Sequence, residues 1–285
     1  MATYSEIFLK YEIEVAQLLM APDDFFVRKR YLHAKATIEE LLSAGILPIV
    51  NKNDATADDA IRWGDNDRIA ALLAQLVNAN HLLMLTDTKG IYSRDPKMSN
   101  EEEAELIHQI DSQEDLVAQI GGSSNAQGSG GMASKLAAAQ MASWAGVTTT
   151  IAAATQVNIV IDALQKKTDV GTTIHPHPKP LSARKLWIAF ALETKGKITI
   201  DKGAQRAIIE EGGSLLSVGI IKAEGEFDES DAVEILNIEG ETIARGLSSI
   251  DSHGLNEVLS RKPDELSGVK SNEIIHRDQL VLLVG

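Results

Sequence analysis

The sequence predicts an α/β fold, a mostly parallel sheet sandwiched by helices, followed by a small β-rich domain. Three observations predict it. The first part of the chain repeats one grammar: a helical stretch, a glycine, then a short apolar run with a β-branched bias, as in residues 26–42, Gly45 and residues 46–50. Buried parallel strands read as such apolar runs, and the intervening helices cover them. A glycine loop, Gly128-Ser129-Gly130-Gly131, runs straight into the alanine-rich stretch 132–142. Beyond Pro180 the texture changes to short alternating segments between glycine turns, at residues 197–201, 217–221, 232–236 and 242–245. That alternation belongs to a small β-domain.

The elements follow in order. Residues 15–20 are a strand or the end of a helix. Ala21-Pro22-Asp23-Asp24 reads as a turn and N-cap, and the helix after it runs to Leu42 and stops at Gly45. Asn51-Lys52-Asn53-Asp54 directly follows the strand 46–50, and Gly64-Asp65-Asn66-Asp67 opens a helix over 68–79. The next buried strand, 81–85, ends in Thr86-Asp87, with Lys89-Gly90-Ile91-Tyr92 and Asp95-Pro96 in the loop beyond. Residues 100–105 are an acidic, solvated run, and a short helix is expected over 115–120. A helix starts near Gly131, followed by Gly146, a strand over 147–153 and a helix through Asp162-Ala163-Leu164. Thr172 to Pro180 carries three alternating prolines and reads as an extended, semi-rigid linker. The expected domains are 1–178, a linker over 179–194, and 195–285.

Bulk composition narrows the function. The chain has 285 residues and a formal net charge of −14, so it is a poor general binder of nucleic acid or anionic membrane. Any anion it holds is held locally. With no cysteine, disulfides and thiolate metal sites are excluded, which fits a cytoplasmic protein. The start lacks the basic-then-apolar pattern of a signal peptide, and no apolar run approaches the roughly 20 residues of a membrane helix. Aromatic residues make up 4%, so aliphatic packing dominates the cores.

The glycine loop carries the chemistry. The first turn of a helix leaves backbone N–H groups without internal partners and holds the positive end of the macrodipole. Glycines let an anion approach that backbone closely. Lys135 lies about one turn inside, and helical side chains lean toward the N-terminus, so its ammonium reaches back over the same anion. The pattern is not a Walker loop, which needs Gly-Lys-Ser/Thr in direct succession. A flexible loop capping an ordinary buried helix is an equal alternative on composition alone. Asn51 to Asp54 and Asn66-Asp67 suit a zwitterion, carboxylates accepting from an ammonium and amides donating to a carboxylate, although each cluster alone also reads as turn and cap residues. Thr86 and Asp87, at a strand's carboxyl end, are placed to meet a nucleotide, or simply to cap the turn. His175 and His177 lack an acidic or thiol partner nearby in sequence, so no metal site is expected there.

Taken together, residues 49–54, 64–67, 85–92 and 130–135, with a tail carrying Ile198-Thr199-Ile200-Asp201, Gly213-Ser214-Leu215-Leu216 and Ile243-Ala244-Arg245-Gly246, resemble the glutamate-phosphorylating branch of the amino-acid-kinase family, which has a C-terminal PUA-type domain. The motifs lie in family order over nearly the whole chain. The resemblance implies ATP-dependent phosphorylation of the side-chain carboxylate of L-glutamate, the first step toward proline, in a cytoplasmic homo-oligomer. By the same resemblance Asp54 and Asn66 hold glutamate. Thr86, Asp87, Ser129, Gly130, Gly131, Met132, Ala133, Ser134 and Lys135 hold ATP. Lys135 acts on the migrating phosphoryl group, Asp67 positions lysines at the reacting centre, and Mg²⁺ comes with the ATP phosphates. The family's Lys-x-Gly-Ser strand and Ser-Gly-Ala loop have no counterpart here. The expectation is therefore a kinase domain reduced to its C-terminal two-thirds, with sheet surface left uncovered. Lys52 and Ser129 depart from the usual family residues and put fine substrate contacts in question. An inactive fragment, or a regulatory or RNA-binding remnant, stands as the alternative at this point, the acidic tail favouring RNA little.

Overall fold

The computed structural model describes residues 1–21, 23–53, 66–94, 104–111, 115, 131–165, 167, 170–260 and 273–283. It divides into two compact units, Met1–Ala183 and Arg184–Gly285.

The first unit opens with α1 (Ala2–Leu9) and β1 (Val15–Met20), which settles residues 15–20 as a strand. Two helices follow, α2 (Asp23–Phe26) and α3 (Arg28–Ser43). The single helix expected from residue 26 is interrupted because Val27 is extended (φ −81°, ψ 110°). Gly45, at φ +76°, ends this stretch in the left-handed conformation that glycine adopts without a Cβ penalty. Next comes β2 (Leu47–Lys52), parallel to β1 from Val15↔Leu47 to Met20↔Lys52.

Helix α4 (Asn66–Leu76) starts two residues before its expected position and leads into β3 (His81–Thr86). Two short strands, β4 (Ile91–Tyr92) and β5 (Leu106–Ile107), pair antiparallel, and β6 (Gln109–Ile110) continues from them. Then come α5 (Met132–Trp144), β7 (Thr148–Ala153), α6 (Ile159–Leu164) and β8 (Thr172–Ile174). Among the described residues these strands form one sheet in the order β3-β7-β8-β6. β3 runs parallel to β7 and β6 parallel to β8, whereas β7 and β8 are antiparallel. Strand β8 corrects the reading of residues 172–180 as linker from their start. Thr172-Thr173-Ile174 are β-branched and inside the sheet, Thr172 fully buried, and the proline alternation begins only at Pro176. Of the short helix expected over 115–120, all but Asp115 lies outside the described residues.

The second unit begins within the segment expected as linker. α7 (Ala183–Leu186) passes into a π-helical turn, Trp187–Ala191, with Leu186, Ile188 and Ala189 fully buried. The Arg245 guanidinium donates to the Ala189 carbonyl at 2.7 Å and meets Glu234 at 3.0 Å, fixing this turn to the sheet. The remaining elements are β9 (Thr194–Ile200), α8 (Lys202–Ile209), β10 (Leu215–Leu216), β11 (Ile220–Gly225), β12 (Ala232–Leu236), β13 (Thr242–Leu247), α9 (Ser252–Ser260), β14 (Glu273–Ile275) and β15 (Leu280–Leu282). The five-stranded sheet runs β11-β9-β12-β13-β15, and β10 pairs with β14. Ile198, Ile200, Val233, Ile235, Leu255 and Ile275 form its aliphatic core. The alternating segments were legible as strands. Helices α8 and α9 were not, because their apolar positions are few and flanked by charge.

Candidate active site

Two connections and one strand pairing place the site. Helix α5 returns through Ala145-Gly146 into β7, and α4 returns through Asn78 into β3, so each helix runs antiparallel to the strand it precedes. Thirteen helical residues span about 20 Å and six strand residues about 20 Å, so the N-terminus of α5 lies level with the carboxyl end of β7. The same reasoning puts the N-terminus of α4 near the carboxyl end of β3. The two strand ends are neighbours, since Thr86 pairs with Ala153 and the Ala154 amide donates to the Thr86 carbonyl at 2.8 Å. The starts of both helices and the ends of both strands therefore gather at one edge, where open α/β sheets bind ligands.

Helices α4 and α5 pack directly on one another. Ala138, Ala139 and Ala142 of α5 are fully buried, as is Ala71 of α4, and side chains this small let helices approach closely. The packing brings the first turns together. Lys135 Nζ lies 3.1 Å from each carboxylate oxygen of Asp67, and the two side chains are only 15% and 17% exposed. Asn66 precedes Asp67 at the start of α4 and is exposed.

Electrostatics explains the pairing. Each helix N-terminus carries roughly half a positive charge. Asp67 in the first turn of α4 is favoured by that field, and Lys135 in the first turn of α5 is opposed by it. A lysine there needs an anion, and Asp67 is that anion in this structure. Two N-termini plus one ammonium exceed one carboxylate by about one positive charge, so the edge is set to take a further anion.

The start of α5 fits a phosphate group. Gly131 is its N-cap and has no side chain to cap the first turn, so the amides of Met132 and Ala133 are not taken by an N-cap side chain. Among the described residues no atom lies within 4 Å of a Cβ built on Gly131. Met132, Ala133, Ser134 and Lys135 form the first turn, and the Ser134 amide closes onto the Gly131 carbonyl at 3.1 Å. On the neighbouring strand end the Thr86 hydroxyl donates to Asp87 Oδ1 at 3.1 Å, and Asp87 is exposed. Asp54, Ser129 and Gly130 lie outside the described residues.

His175 and His177 take other roles. His175 Nε2 approaches Asp111 Oδ1 at 3.5 Å, an acidic partner that sequence proximity did not reveal. His177 stacks on Trp144 with ring centroids 3.8 Å apart. Among the described residues no group of three His, Cys, Asp or Glu side chains is arranged to hold a metal ion, and no helix is long and apolar enough to cross a membrane.

Comparison with known proteins gives a consistent picture. Residues 1–152 match the amino acid kinase family and residues 196–269 match the PUA domain. Over 285 residues the chain is 39% identical to the glutamate 5-kinase of Thermoanaerobacter pseudethanolicus, covering 98% of this chain and 76% of that protein. It is 39% identical to the glutamate 5-kinase of Trichormus variabilis over 287 residues, with 99% and 78% covered. It is 40% identical to that of Prochlorococcus marinus over 284 residues, with 99% and 77% covered.

Proposed function

Since the chain belongs to the amino acid kinase family, and within it to the glutamate 5-kinases, we propose that it phosphorylates the side-chain carboxylate of L-glutamate, the first step of proline biosynthesis, at the edge where α4 and α5 begin. The observation that carries the site assignment is the Lys135–Asp67 pair at two converging helix N-termini. ATP supplies the phosphoryl group and leaves as ADP once a glutamate carboxylate oxygen has accepted it, and Mg²⁺ would neutralise part of the phosphate charge.

Phosphoryl transfer asks little covalent chemistry of a protein. It asks that two anions be aligned and their charge neutralised. The amides at Gly131, Met132 and Ala133, with Ser129 and Gly130 before them and the Ser134 side chain after them, hold the phosphates. Thr86 and Asp87 hold the rest of the nucleotide from the end of β3. Lys135 neutralises charge on the migrating group, and Asp67 keeps its ammonium aimed at the reacting centre. Asp54 and Asn66 hold the amino acid, the carboxylate taking its ammonium and the amide its α-carboxylate.

The product is an acyl phosphate, which hydroxylamine converts to a hydroxamate that is read as its coloured iron(III) complex. Incubation with ATP, Mg²⁺, hydroxylamine and L-glutamate should give γ-glutamyl hydroxamate, and omission of L-glutamate or ATP should abolish it. Hydroxamate formed equally from D-glutamate or L-aspartate would contradict the assigned substrate, and none from L-glutamate would contradict the activity.

A further inference from the structure

The loop that follows Thr86 and Asp87 is held at both ends to one sheet, and the second anchor is a residue that no site motif contains. Thr172 is fully buried on β8, paired through its backbone with Ile151 of β7. Its side chain leaves the sheet and grips the short β4–β5 pair. The Thr172 hydroxyl accepts from the Ile91 amide at 2.8 Å and donates to the Ile107 carbonyl. One hydroxyl thus satisfies one backbone group on each of two strands, using both its donor and an acceptor. Ile91 is itself buried at 3% exposure. Immediately before it the backbone of Gly90 passes so close that a Cβ there would lie 2.7 Å from the same hydroxyl oxygen. Only a residue without a side chain fits, so the close approach of Gly90 and the bonds of Thr172 form one arrangement.

The consequence is geometric. β3 ends at Thr86, locked to β7, and β4 begins at Ile91, locked through Thr172 to β8, the other neighbour of β7. The four residues 87–90 must span between two anchors in the same sheet, with the Thr88 hydroxyl donating to the Gly90 carbonyl at 3.3 Å. A span this short has few conformations once both ends are fixed. Resting on the proposed role of Thr86 and Asp87 toward the nucleotide, we propose that Thr172 is a positioning residue for nucleotide binding: it holds the Asp87–Gly90 loop in its binding geometry without touching the ligand.

The test compares Thr172→Val, which keeps the shape and removes both hydrogen bonds, with Thr172→Ser, which keeps the hydroxyl. The readouts are KM for ATP, KM for L-glutamate, binding of a non-hydrolysable ATP analogue, and hydrogen exchange at the Ile91 amide. T172V should raise KM for ATP and weaken the analogue about tenfold, leave KM for L-glutamate unmoved and expose the Ile91 amide to exchange, while T172S restores all of these. A purely structural role would lower the melting temperature and shift both KM values together, and that result, or unchanged analogue binding in T172V, overturns the proposal. Failure of the wild-type protein to bind the analogue would instead remove the assignment of Thr86 and Asp87 and this role with it. Equal Ile91 protection in wild type and T172V would remove the positioning claim by itself.

Discussion

The ammonium of Lys135 stands 3.1 Å from both oxygens of the Asp67 carboxylate, each residue in the first turn of its own helix. A cation at the positive end of a helix dipole is unfavourable alone. The pair therefore records what this edge of the fold is built for: a positive field that a side-chain carboxylate only partly neutralises, beside a glycine N-cap that leaves backbone amides open.

Asp67→Asn retains shape and removes the charge that steadies Lys135. Turnover should fall about tenfold to a hundredfold, with a smaller change in KM for ATP. In a double-mutant cycle with Lys135→Met the two losses should couple by about 1–3 kcal/mol. Additive losses would show that the two residues act separately.

Gly131→Ala separates ligand space from protein space. The added methyl meets no atom of the described residues, and φ −88° suits alanine, so stability should fall by no more than about 1 kcal/mol, the loss typical of a poorer N-cap. KM for ATP should nevertheless rise about tenfold, because the methyl occupies the space beside the first-turn amides. Denaturant titration and steady-state kinetics on the same preparation check both halves.

In the second unit, the Asp201 side chain accepts from the Ala204 amide at 2.7 Å and caps α8. Asp201→Ala should destabilise this unit by about 1 kcal/mol, while Asp201→Ser or Asp201→Asn should restore most of the loss. Calorimetry reads the difference.

Acid stability should depend on Asp231. Burial pushes its carboxyl up, but the Asp228 amide, donating at 2.8 Å, and the Lys195 ammonium at 2.9 Å outweigh burial and hold it below its ordinary value. The hydrogen bond to Asp231, reinforced by its charge, moves Lys195 the other way, above its ordinary value. A depressed carboxyl contributes stability above its unfolded pKa, and the contribution is lost as pH falls through the folded value. A raised amine contributes below its unfolded pKa and loses the contribution as pH climbs through the folded value. The wild-type melting temperature should thus drop more steeply than that of Asp231→Asn between about pH 5 and pH 3. Parallel acid limbs would refute the assignment.

What the sequence made legible follows from how local each signal is. The start of α5 was readable because a glycine followed by an alanine-rich run is a self-contained helix signal, and the strands at 81–86 and 148–153 because short apolar and β-branched runs between helix signals announce buried strands. Strand β8 was hidden because three residues carry little periodicity and the prolines beside them dominate the local composition. The role of Thr172 was hidden for a different reason: its partners lie 81 and 65 residues away, and no pattern in a single chain encodes that meeting. Asp67 was visible as a helix-start acid, but the 68-residue separation from Lys135 puts their contact beyond periodicity. Family resemblance, not spacing, pointed to it.

The most direct measurement is ADP release as a function of L-glutamate in the wild-type chain and in Lys135→Ala, with folding of both verified by melting. Saturable, glutamate-dependent ADP release is expected in the wild type, with a fall of about a hundredfold to a thousandfold in turnover for a K135A protein that still melts cooperatively. Wild-type ADP release indifferent to L-glutamate, or a K135A protein as active as wild type, would contradict that expectation.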